Sequence, residues 1–198
     1  MNLKMLNMTI ASLVLSVSGF ANANLVLQAD LSVENTITVT ATSGTSLADA
    51  SGGDSIGFYL ADFFDASFGS LSDIFVSGNL TSANNTSDGT PNLFSFSSDA
   101  GLNIFSFTDD ADMTFTAGEL AFSGQATWTV SAAHYASALN GAQGGNVFAP
   151  ADDIGDLANA ALIGTWEVVG AATDVPEPST LAILALGLMG LASSRFKK

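Results

Sequence analysis

Cysteine is absent from the 198-residue chain. That excludes disulfide scaffolds, thiol nucleophiles and cysteine-ligated zinc or iron–sulfur centres. Histidine occurs once, as His134, so metal sites built from several imidazoles are excluded too. Positive charge is almost as scarce: Lys and Arg number 4 against 19 Asp and Glu, for a formal net charge of −15. The four cations are Lys4, Arg195, Lys197 and Lys198. No Lys or Arg falls between residues 24 and 174, whereas every acid except Glu177 does. Such a body repels phosphate backbones, which excludes nucleic acid as a partner. It also has no Arg or Lys with which to clamp a phosphorylated substrate. Cations and neutral sugars remain compatible with it. Hydrophobic residues make up 47% of the chain, too many for a disordered polar segment.

The two ends read as addresses. Lys4 supplies a positive start, residues 8–17 (MTIASLVLSV) a short apolar core, and Ala21-Asn22-Ala23 a small-residue cleavage site. In that order the three make a secretory signal peptide over residues 1–23, with the mature chain starting at Asn24. The apolar core is shorter than the roughly 20 residues of an ordinary transmembrane helix.

At the other end, residues 175–180 (VPEPST) contain Pro176-Glu177-Pro178, and an apolar run over 181–192 follows. Ser193 and Ser194 come next, then the basic residues Arg195, Lys197 and Lys198. The prolines disfavour helix before Ser179, which is a good N-cap. A helix from there to Ser194 rises about 24 Å, somewhat short of a hydrocarbon core, and snorkelling basic residues cover the difference. The positive-inside rule keeps the basic tail cytoplasmic and the body outside the membrane.

This tail resembles the PEP-CTERM sorting signal: the Pro-Glu-Pro motif (175–180), a transmembrane helix (181–194) and a basic tail (195–198), in that order. The resemblance implies transient membrane anchoring, recognition and cleavage by an exosortase, and residence at the surface of exopolysaccharide-producing, biofilm-forming bacteria. Signal peptidase and exosortase are then the partners during export. The resemblance says nothing about the activity of residues 24–174.

That body has the period-2 alternation of an all-β domain. Leu25, Leu27, Ala29, Leu31 and Val33 alternate with polar or smaller residues, and Ile37 and Val39 with Thr36, Thr38 and Thr40. Similar runs cover 56–60, 74–80, 93–97, 102–108, 113–116, 120–131 and 165–169. Gly-rich and Asp-Gly turns lie between them. The expected fold is a β-sandwich or jelly roll with one or two short helices. The first helix is expected over 132–139, capped by Ser131, and the second over 156–163, stopped by Gly164. The segment 62–68 is ambiguous, because Phe63, Phe64 and Phe68 suit helical spacing.

Candidate chemistry is sparse. Asp109, Asp110 and Asp112 form the densest acid cluster, between two expected strands. Calcium takes 6–8 oxygen ligands, and a tight carboxylate loop supplies them; a solvated turn has the same composition. Asp152, Asp153 and Asp156 form a second cluster, for which helix capping is the alternative. Paired carboxylates also serve glycoside hydrolysis, but no fingerprint selects a pair. Gly53-Asp54-Ser55-Ile56-Gly57 matches G-x-S-x-G, yet a nucleophile elbow needs a strand before it and a helix after it. Here a Gly-rich turn leading into a strand is the expectation. Trp128 is expected in the core, and Trp166, Tyr59 and Tyr135 are candidates for stacking on sugars.

Three function classes follow. The first is a non-enzymatic exported component of the cell surface or matrix, associated with exopolysaccharide. The second is a polysaccharide- or calcium-binding module, and the third a secreted carbohydrate-active hydrolase. The first is the expectation.

Overall fold

The computed structural model describes residues 24–67, 71, 73–85, 91–95, 99–106 and 112–170. The chain runs through β1 (Leu25–Asp30), β2 (Thr36–Ala41), β3 (Ala50–Gly53), β4 (Phe58–Leu60) and β5 (Asp73–Gly78). It continues through β6 (Thr81–Ser82), β7 (Asn92–Phe94), β8 (Leu102–Phe105), β9 (Asp112–Phe115), β10 (Phe122–Ser123) and β11 (Gln125–Val130). The helix α1 (Ala132–Asn140), β12 (Gly144–Ala149), a 3-10 turn (Asp156–Ala158) and β13 (Ala161–Val169) complete it.

All-β architecture is borne out, but its layering differs from the expected sandwich. Nine strands form one sheet in the order β5-β11-β2-β1-β13-β12-β4-β8-β7. Its edge strands β5 and β7 approach each other, so the sheet is nearly closed and barrel-like. Strand twist is the cause: a sheet this wide curls rather than staying flat. Two small sheets, β6 with β10 and β3 with β9, accompany it. The interior is rich in aromatic rings. Phe122 packs on Phe58 at 4.7 Å and on Phe115 at 5.1 Å, and Phe63 packs on Trp166 at 5.0 Å between centroids.

All pairings in the large sheet are antiparallel except one. β1 and β13 run parallel, with Leu25 opposite Thr165 and Asp30 opposite Val169. First and last strands are therefore neighbours, and both are internal to the sheet.

Two expectations need correction, and one open segment takes a form. The run 120–131 is two strands in different sheets, because Gly124 adopts φ +80° and breaks the run. Leu120 accordingly lies outside, 44% exposed, while Phe122, Ala126, Trp128 and Val130 are buried. The second helix shrinks to the 3-10 turn Asp156–Ala158, and residues from Ala161 onward belong to β13. Pairing of β13 with both β1 and β12 outweighs the helical spacing, and it buries Ile163 and Trp166. Residues 62–67 form bends rather than helix, with Phe63 and Phe64 buried and Asp62 at φ +59°. The first helix is as expected, and the Ser131 hydroxyl accepts from the His134 amide at 3.2 Å.

Candidate functional site

The sorting residues bracket the described body. Ala21 and Ala23, and at the other end Pro176, Glu177, Pro178, Arg195, Lys197 and Lys198, lie outside the described residues. Among the described residues no helix is long and apolar enough to cross a membrane. Asn24, the expected new N-terminus, is already docked: its carbonyl accepts from the Thr165 amide at 2.8 Å and the Thr165 hydroxyl at 3.1 Å. At the far end β13 stops at Val169, a few residues before Pro176.

The first acid cluster is only partly in view. Asp109 and Asp110 lie outside the described residues, and Asp112 is exposed at the start of β9, opposite Gly53. The second cluster assembles. Asp152, Asp153 and Asp156 each place a carboxylate oxygen within 4.8 Å of the others. The Asp156 carboxylate accepts from the Asp152 amide at 3.2 Å, and Asp153 from the Gly155 amide at 2.5 Å. Partial burial raises the Asp152 carboxyl above its ordinary value. A side-chain hydrogen bond to Asp156 and the charges of Asp156 and Asp153 act in the same direction. Three carboxylates this close can ligate a hard cation, and the same contacts hold the entry to the 3-10 turn.

The aromatic candidates belong to the core. Trp166 is 2% exposed and its indole N–H donates to the Ala61 carbonyl at 3.2 Å. Trp128 is fully buried, as expected, and donates to Pro91 at 2.8 Å. Tyr135 donates its hydroxyl to the Leu31 carbonyl at 2.6 Å. Tyr59 is buried and donates to Asp99. Burial, followed by that hydrogen bond and the Asp99 charge, pushes the Tyr59 phenol well above its usual range. Trp166, Trp128 and Tyr59 are buried and so withdrawn from stacking on a sugar, whereas Tyr135 is half-buried against the core.

Sequence reasoning missed two buried polar residues that join separate parts of the chain. Asp99 accepts from Tyr59 on β4, from the Gly101 amide at 2.8 Å and from the Ile154 amide at 2.8 Å. The Asn103 side-chain amide on β8 donates to the carbonyls of Ile56, Phe58 and Ala151, at 2.9, 3.3 and 3.0 Å. Neither sits in a recognisable motif; Asn103 lies between Leu102 and Ile104 of a strand, whereas Asp99 stands outside any apolar run.

The G-x-S-x-G match joins a strand to a strand, β3 to β4, and so is not a nucleophile elbow. Ser55 is exposed, whereas Asp54 is 6% exposed and faces a cavity of about 20 Å³. Ser82, Phe58, Ile104 and Met113 are also on its wall. That volume holds roughly one water-sized occupant, whereas small-molecule sites run to several hundred Å³. The cavity therefore cannot seat a sugar ring.

Comparison of the chain with curated proteins and with solved structures finds no match. A family model does match the tail: residues 174–198 fit the PEP-CTERM protein-sorting motif, so the chain carries an exosortase-directed export signal.

Proposed function

We propose that the protein is a non-enzymatic component of the bacterial surface or extracellular matrix, associated with exopolysaccharide and released by exosortase processing. Signal peptidase first cuts after Ala23. The helix over 181–194 then holds the precursor in the membrane until cleavage near Pro176-Glu177-Pro178 frees the body. The observation that carries this reading is the sorting motif at 174–198, placed directly after the last strand of an independently cored β-body. The acidic composition, the buried aromatic side chains and the small size of the Asp54 cavity support a structural rather than a catalytic role.

The test is co-sedimentation of the exported protein with exopolysaccharide from its host, followed by sizing of the polymer. The expected result is association with unchanged polymer length. Progressive shortening of the polymer would replace this reading with that of a hydrolase, and absence of association would remove the matrix role.

A further inference from the structure

The chain leaves the body for its tail at a defined place. β13 stops at Val169, and Gly170 follows it at φ +73°. A side chain on Gly170 would lie 2.6 Å from the Asp30 carboxylate and 3.3 Å from Ser32, so the exit is pressed against the end of β1 and the loop after it. α1 stands beside it. The Gln143 carbonyl accepts from the Val168 amide at 2.9 Å, the Gln143 side chain donates to the Gly141 carbonyl at 3.2 Å, and Tyr135 bonds Leu31. Val33 is 61% exposed in the β1–β2 loop, next to exposed Glu34, and Leu139 is exposed near the end of α1. Singly such side chains are ordinary; their place at the exit sets these apart.

Pro176 follows Gly170 by six residues, a reach of at most about 22 Å when fully extended. Even a small domain is about 30 Å across. An enzyme that encloses Pro176-Glu177-Pro178 therefore meets the exit end of the folded body. Glu177 calls for positive charge in that enzyme's cleft. Asp30 and Glu34 present the same negative charge within reach of it, and residues 24–174 hold no Lys or Arg to oppose them.

We propose that the exit end of the body, through Val33, Glu34 and Leu139, is a second recognition surface for the sorting protease, which meets it with apolar and basic side chains. On the reading given above, in which an exosortase processes the tail, the enzyme thus reads the body as well as the motif. The short connection makes the second contact effectively intramolecular, so a weak contact suffices.

The test is a pulse-chase of the full-length precursor in its native host, following loss of the tail. Glu34→Lys should slow processing about tenfold, the equivalent of one good contact, and Val33→Ser should slow it in the same direction. Both sites are exposed, so the melting temperature of the released body should not change. Glu119→Lys makes the same charge change at the Leu25 end of the sheet, where Ala121 bonds Gly44 beside Leu25, and should leave the rate native. A flexible insertion of about 20 Gly and Ser residues between Gly170 and Ala171 should also slow processing, because it uncouples surface from motif. Native rates in Glu34→Lys, Val33→Ser and the insertion variant would overturn the proposal and leave the tail as the only element read. Faster processing of the insertion variant would overturn it too, since the body would then obstruct the enzyme. Binding of the released body to phosphatidylethanolamine and phosphatidylglycerol vesicles, lost in Val33→Ser, would assign the surface to lipid instead. Failure of the exosortase reading itself shows differently: processing would persist with Pro176, Glu177 and Pro178 replaced by alanine.

Discussion

Asp99 shows what a single side chain does in a body without cysteine. It joins β4, the entry to β8 and the loop after β12 through three donors, the kind of cross-linking that disulfides give other exported domains. Asp99→Ala strands a buried phenol and two amides. It should cost about 3 kcal/mol, read as a fall in the denaturation midpoint at unchanged slope. Asp152 acts in the opposite sense. Its carboxyl is raised in the folded state by burial, by Asp156 and by Asp153, so the fold binds its proton more tightly than the unfolded chain does. Stability from this group is present at low pH. It is lost as pH rises from the ordinary carboxylate range through the raised folded value. Asp152→Asn should therefore raise the melting temperature at neutral pH, and the advantage should vanish in acid; an advantage that persists in acid would contradict this sign.

At the scale of elements, the sequence is legible where side chains alternate and opaque where they do not. β1, β2 and β11 announce themselves through Leu27, Ala29, Ile37, Val39, Ala126 and Trp128, all fully buried. α1 announces itself through its cap, and Ser131→Ala should cost about 1 kcal/mol, measurable by denaturant titration. β3 (ASGG) and β12 (GGNVFA) are illegible as strands, because their glycines carry no side chain to alternate. Both are strands because tertiary neighbours demand close approach. A Cβ at Gly52 would lie 2.6 Å from Pro150, and one at Gly145 2.7 Å from the Ala61 carbonyl. The tail is legible because Pro176-Glu177-Pro178 is contiguous, whereas Asp99 and Tyr59, and Asn103 and Ala151, meet only through the fold. Gly145→Val should destabilise the sheet seam strongly, by at least about 2 kcal/mol, even though valine favours strands in general.

For the whole molecule, the parallel pairing of β1 with β13 sets the order of closure. Leu25 and Val169 lie at opposite ends of adjacent strands, roughly 17 Å apart along the strand direction. Because β13 lies between β1 and β12, the sheet closes only once the last strand has crossed. A chain truncated after Ala160 should be exported yet rapidly degraded by added protease, whereas the complete body should resist it.

The central claim is that the tail governs the fate of this body. Replacing Pro176, Glu177 and Pro178 with alanine in the native host, then separating membrane and extracellular fractions and measuring intact mass, tests it most directly. The account predicts that the native sequence yields a soluble product starting at Asn24 and lacking residues 181–198, while the variant stays in the membrane with its tail intact. Release of the variant with the same mass and at the same level as the native protein would contradict it.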